Sequence, residues 1–273
     1  MTQDEVTIPV VIVREKHYSV TEIFGPTMQG EGPMAGARTF FLRLHFCDGD
    51  GHKHWCKWCD TRYTWDHDDP AFKEFKTLTA TQIVSQLHQR GARLGDWVTI
   101  SGGNPVMQLD EELVNVLGDQ FKLQLETQGT IWKPCLFEFD RIVISPKPPS
   151  SGLDSLEREQ VEPYVNYGVK QLRDGRQRNL DVKIVVFDKA DFNWAVEFVE
   201  DMYRIARQTR EFRPEGRIGV YLQAGTEVEG NVADVVLEKY KWLVETWLES
   251  GHLKEAKVLP QIHALVWGRR KGV

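Results

Sequence analysis

Three of the four cysteines in this 273-residue chain fall within thirteen positions: Cys47, Cys56 and Cys59. Cys47 directly follows an apolar, β-rich run at 39–46, and Cys56 and Cys59 form a C-x-x-C pair after eight intervening residues. A C-x-x-C turn lets two thiolates face one metal centre, and a third from a strand end completes three ligands. Three thiolates are one short of a closed structural zinc site. On a cubane they leave one iron open, as catalysis with a cluster requires. At this level both readings stay open, with His45, His52, His54 or Cys135 as the fourth zinc ligand. Cys135 lies far along the chain between two strands, where a free cysteine commonly serves as a small hydrophobe. Trp55, Trp58 and Tyr63 fit either shielding of a cluster or ordinary packing.

The rest of the chain alternates strand and helix signals. Apolar β-rich runs lie at 39–46, 97–100, 122–126, 141–144, 182–187 and 218–222. Helical periodicity lies between or after them: 81–94 with Ile83, Val84, Leu87 and Leu94, 191–205 with Phe192, Val196, Val199, Met202 and Tyr203, and 232–248 with Val236, Leu243 and Trp247. No repeat or linker interrupts the pattern, so one domain over residues 1–273 is expected. Alternation of this kind predicts parallel strands joined by crossover helices. About six strands are too few for a closed eight-stranded barrel. The expectation is an α/β fold, a partial, open TIM-type barrel, with a doubly wound sheet as the alternative. Ligands then belong at the C-terminal strand ends.

A net charge of −6 argues against a nucleic-acid partner. No apolar run approaches the 18 or so residues of a membrane span. Residues 1–16 lack the pattern of a signal peptide, so a cytoplasmic location is expected, where thiols bind metal more often than they form disulfides.

Several short motifs then follow in order: Glu22-Ile-Phe-Gly-Pro-Thr-Met-Gln-Gly-Glu-Gly32, Phe41-Leu-Arg-Leu44, Cys56-Lys-Trp-Cys-Asp-Thr61, Ser101-Gly-Gly-Asn-Pro105, Glu126-Thr-Gln-Gly-Thr130, Ser145-Pro-Lys-Pro-Pro-Ser-Ser-Gly152, Tyr221-Leu-Gln223 and Pro260-Gln-Ile-His263. Together they resemble the 7-carboxy-7-deazaguanine synthase family of the radical S-adenosylmethionine (SAM) superfamily, across nearly the whole chain. The resemblance implies a lyase of queuosine and 7-deazapurine biosynthesis. It would convert 6-carboxy-5,6,7,8-tetrahydropterin to 7-carboxy-7-deazaguanine with loss of ammonia. A 4Fe-4S cluster on Cys47, Cys56 and Cys59 and its bound SAM would carry the hard chemistry, leaving positioning and water exclusion to the protein.

The same resemblance assigns a SAM site to Trp58, Asp60, Gly103, Asn104, Glu126, Ser145, Pro146, Lys147, Gln223, Ala224, Gly225 and Thr226. It assigns the pterin to Met28, Gln29, Gly30, Glu31, Arg43, Ser101, His263 and Val273. Arg43 would take the substrate carboxylate, for which its planar fork is suited. Thr61 would ligate Mg²⁺, an oxygen-seeking cation. The Gly102-Gly103 turn would let the backbone approach the SAM amino group. A small electron donor such as flavodoxin or ferredoxin and a homodimer are implied as well. Two features depart from the common pattern. Eight residues, not three, separate the first two cysteines, and Asn104 stands where Glu is usual.

Overall fold

The structure is a computed structural model that describes residues 15–173, 179–208, 218–226, 232–268, 270 and 272. Among the described residues, nine strands form one sheet in the order β3-β1-β2-β4-β5-β6-β7-β8-β9. The strands are β1 (Tyr18–Met28), β2 (Arg38–Leu44), β3 (Lys76–Leu78), β4 (Trp97–Gly102), β5 (Lys122–Thr127), β6 (Arg141–Ile144), β7 (Asn179–Val186), β8 (Gly219–Ala224) and β9 (Lys257–Leu259). β1 pairs antiparallel with β2 and β3, and every other pairing is parallel. With β3 at one edge and β9 at the other, the sheet stays open. All six strands predicted from the sequence are present. β1 went unread because Gly25-Pro26 reads as a turn; the strand takes it up in a register shift between Phe24 and Thr27.

Six helices follow the strands: α1 (Ala80–Gln89), α2 (Glu111–Gly118), α3 (Arg158–Arg173), α4 (Lys189–Arg207), α5 (Val232–Ser250) and α6 (Ile262–Trp267). α1 starts with a full capping box, in which Thr79 Oγ1 accepts from Gln82 N–H and Gln82 Oε1 accepts from Thr79 N–H. It stops five residues before the predicted end. Gly91 takes a left-handed φ of 90°, and Leu94, expected on the buried face, is 75% exposed. α2, α3 and α6 were missed, α2 and α6 for their eight and six residues and α3 because Pro163 sits inside it.

Side chains alternate along each strand. One face is apolar: Leu42, Ile100, Leu125, Ile142, Val182 and Leu222 are fully buried, on the side where α2 to α5 pack. The opposite face carries Arg43, Ser101, Glu126, Lys183 and Gln223, one from each of five strands. Parallel strands covered on both faces normally read as unbroken hydrophobic runs. A polar face here marks the concave side of the sheet as the place for a polar ligand.

Candidate active site

The cysteine segment leaves the end of β2. Phe46 adopts a left-handed φ of 74°, costly for a bulky residue. It is held there by its N–H donating to Thr64 O (2.9 Å) and its carbonyl accepting from Asn104 N (2.9 Å). The twist redirects the chain at Cys47. Cys59 N–H donates to Cys56 O at 3.2 Å, closing the C-x-x-C turn. Burial pushes the Cys47 thiol up to about 12 and the Cys56 thiol up as well, with the Lys147 ammonium opposing both. Trp65 Nε1 donates to Cys59 Sγ at 3.3 Å, while Trp55 stacks on Trp65 with ring centroids 4.8 Å apart and donates to Cys47 O. The indoles thus wall the thiols on one side.

Among the described residues, no three His, Cys, Asp or Glu side chains converge on a single ion. The candidates for a fourth zinc ligand are scattered over different surroundings. His45 is buried among Phe46, Phe72 and Phe75 with Nδ1 against Thr21 Oγ1. His54 pairs with Asp50, His52 is exposed, and Cys135 lies in the hydrophobic core. Among the described residues, none of these side chains is brought together with the three cysteines into a closed four-ligand site.

Gly102 and Gly103 are explained by protein packing. A Cβ on Gly102 would lie 1.9 Å from Leu44 O, and one on Gly103 would lie 2.1 Å from Phe46 O and 2.8 Å from Cys47 Cβ. The ends of β2 and β4 therefore meet backbone to backbone beside the first cysteine. Asn104, fully buried, sits next to this contact. Its Nδ2 donates to Asp48 Oδ1 (2.8 Å) and Thr130 Oγ1 (2.9 Å), and its Oδ1 accepts from Thr127 Oγ1 (2.8 Å). Asp48 also accepts from Gln128 Nε2 (2.8 Å) and Thr130 Oγ1 (2.6 Å). The segment after Cys47 is thus pinned to the ends of β4 and β5 by one carboxylate. Sequence reading had not singled out Asp48, Gln128 or Thr130 as a unit.

The turn after β1 enters the same concave face. Gln29, 3% exposed, donates from Nε2 to Glu126 Oε1 at 2.9 Å. Glu31 accepts from Lys183 Nζ at 2.5 Å and from Gln261 Nε2 at 2.8 Å, and Gln261 Oε1 accepts from Thr226 Oγ1 at 2.6 Å. Burial alone would raise the Glu31 carboxyl, but the Lys183 ammonium and His263 hold it down at about 2. A Cβ on Gly30 would lie 2.2 Å from His263 Nδ1, and Ile262 N–H donates to Gly30 O, so α6 closes directly on this turn. Arg43 Nε donates to Glu22 Oε1 at 2.7 Å, and Tyr63 OH donates to the same oxygen. The buried anion that an inward-facing arginine needs is therefore supplied in part by the protein.

The remaining expected residues lie around this face. Met28 ends β1 and Ser101 pairs in register with Arg43. Ser145 and Pro146 are buried beyond β6, and Lys147 Nζ lies 5.6 Å from the Trp58 ring centre. Trp58 donates to Ser150 Oγ and leans on Phe187. Gln223 is fully buried, its Nε2 donating to Leu259 O while its Oε1 has no partner. Ala224, Gly225 and Thr226 continue from β8, where Gly225 N–H donates to Val186 O. Thr61 is 9% exposed with its hydroxyl 3.6 Å from Cys59 Sγ, and Asp60 is exposed. Val273 lies outside the described residues. Lys183 had no place in the sequence reading; a lysine flanked by aspartate and apolar residues in a β-rich run gives no signal until the concave face is known.

An open, mostly parallel α/β sheet with a three-cysteine segment at the C-terminal end of its first parallel strand is the arrangement expected of the radical SAM class. The chain is 35% identical to 7-carboxy-7-deazaguanine synthase of Bacillus cereus over 261 residues, covering 93% of this chain and 98% of that one. It is 34% identical to the synthase of Bacillus subtilis, covering 94% and 99%, and 30% identical to that of Thermoplasma acidophilum, covering 93% and 99%. The fold matches the crystal structure of QueE from Escherichia coli with a TM-score of 0.59 at 21% identity, covering 89% of this chain and 94% of that one. No protein-family model matches the chain. The chain belongs to the 7-carboxy-7-deazaguanine synthase family.

Proposed function

We propose that this chain converts 6-carboxy-5,6,7,8-tetrahydropterin to 7-carboxy-7-deazaguanine, releasing ammonia, as the names of its relatives indicate. The observation that carries the reading is the joining of three cysteines and a polar concave face at the same strand ends. Cys47, Cys56 and Cys59 would hold a 4Fe-4S cluster, and the bound cluster with SAM would supply the radical chemistry. Gln223 Oε1, buried without a partner, suits a hydrogen-bond donor of SAM, since such an acceptor is costly to leave empty. Glu126, Ser145, Lys147 and Asn104 border the same space.

Gln29, Glu31 and Arg43 would bind the pterin. Ionised Glu31 offers acceptors to the amino and ring N–H groups of the pyrimidinone. Arg43 keeps Nε on Glu22 and would present its Nη pair to the substrate carboxylate. α6, packed on Gly30 through His263, would cover the bound pterin and exclude water. Mg²⁺ at Thr61, a flavodoxin- or ferredoxin-like donor, a homodimer and a cytoplasmic setting rest on the family resemblance. No helix among the described residues is long and apolar enough to cross a membrane.

The test is anaerobic reconstitution with iron and sulfide, then incubation with dithionite, SAM and the tetrahydropterin. Formation of 7-carboxy-7-deazaguanine and ammonia is the expected result. SAM cleavage without pterin conversion would displace the substrate, and a colourless zinc protein would overturn the cluster. Cys56→Ala is expected to lose bound iron and acid-labile sulfide together with turnover.

A further inference from the structure

Lys183 lies mid-way along β7 on the concave face and is 6% exposed. An ammonium is rarely buried unless paired. Its Nζ touches Glu31 Oε2 at 2.5 Å. The carboxylates of Glu126, itself held by Gln29, and of Asp60 act on it as well. Burial alone would favour neutral lysine, yet these carboxylates keep it charged. Lys183 thus sits where the two carboxylates of the site converge, one expected to face the pterin and one SAM. Glu31 is fixed from two sides, by Lys183 at Oε2 and by Gln261 at Oε1.

We propose that Lys183 is a positioning and specificity-determining residue: its ammonium locks Glu31 as an oriented, ionised acceptor for the donor-rich edge of the pterin. The inference rests on the pterin reading of the site. A carboxyl group that protonates becomes partly a donor and would oppose the N–H groups of a pyrimidinone edge. Without Lys183, burial of Glu31 is offset only by His263 and by the hydrogen bond from Gln261, and its carboxyl would take up a proton more readily as pH falls. The lysine thereby extends pterin recognition to lower pH while contributing no hydrogen bond of its own to the substrate.

The experiment compares wild type, Lys183→Met, Lys183→Arg and Lys183→Met/Glu31→Gln, each with cluster reconstituted and SAM present. The probe is 6-carboxypterin, the oxidised form, which cannot turn over and is fluorescent. Wild type is expected to bind it with constant affinity from pH 8 to pH 5. Lys183→Met is expected to weaken about tenfold or more as pH falls across that range, as for a carboxylate deprived of its buried partner. Lys183→Arg is expected to restore most of the affinity and the flat profile. A wild-type profile for Lys183→Met, or a loss equal at every pH that arginine does not mend, would overturn the proposal.

Melting curves over the same pH range need no ligand. Lys183→Met should gain on wild type as pH falls, because protonation relieves its unpaired carboxylate. The double variant, which has no carboxyl at 31, should show no such gain and serves as the folding control. Parallel melting profiles for wild type and Lys183→Met would refute the lock. If wild type binds SAM but not the pterin, the substrate reading fails, and the melts still decide whether Lys183 governs Glu31.

Discussion

At the scale of single residues, the departure at position 104 is accounted for by what surrounds it. Asn104 donates to Asp48 and accepts from Thr127, a division of roles that an ionised carboxylate cannot make. A glutamate here would set a second carboxylate against Asp48 in a buried space, where like charges disfavour joint ionisation. Asn104→Glu is therefore expected to lower the iron retained after reconstitution and to weaken SAM binding by about tenfold or more, read by metal analysis and equilibrium dialysis. Asp48→Asn/Asn104→Glu, which returns one charge to the pair, should recover most of both. Failure of the double variant to recover would show that the charge must reside at 48. The cysteines stood out in sequence by their spacing, but this partnership did not, because Asp48 and Asn104 are 56 positions apart and meet only through the strand order.

At the scale of elements, the parallel strands were legible because each is a compact apolar run, and the long helices because their stripes persist over several turns. What escaped were the elements whose signal is broken by Gly25-Pro26 or Pro163, or cut short at two turns. The motif Gly102-Gly103 shows a different limit. Its glycines suggested close approach to a ligand, and the spacing gave no sign of a second demand on them, the close approach of the Leu44 and Phe46 carbonyls and Cys47 Cβ. Gly103→Ala should force the β2 and β4 ends apart, at a cost of about 1–3 kcal/mol typical of overpacking. It should also displace Cys47, giving a folded protein by circular dichroism with reduced iron content. Normal iron loading in that variant would separate Gly103 from cluster assembly.

At the scale of the whole molecule, the concave face joins the N-terminal turn, the middle strands and α6 through charge as well as packing. Glu31 is held at about 2, below the ordinary 4.5. Its contribution to stability is therefore complete above about 4.5 and drains away as pH falls from there toward 2. Urea titrations of wild type and Glu31→Gln should differ most at neutral pH and converge below pH 4; a constant gap would contradict the ionised pair. The polar face itself was half-legible. Arg43 stood out against Leu42 and Leu44 in sequence, but Lys183 and Glu126 gain their meaning only from sharing a surface.

The enlarged segment between Cys47 and Cys56 has one more consequence. Its base is tied down by Asp48, and at its far end Trp55 donates to Cys47 O at 3.2 Å. Between them residues 51–54 are exposed, folded over Asp50, whose side chain accepts from His52 N and His54 N. Such a tip is a detour with both ends already joined, and doubling the length of a flexible loop costs only about 0.6 kcal/mol in closure entropy. The detour can thus lengthen, shorten or carry a reporter group at Lys53 while the two anchor points keep the thiols in place. That separation of a variable rim from a fixed base gives this region room to diverge between relatives without touching the chemistry beneath it.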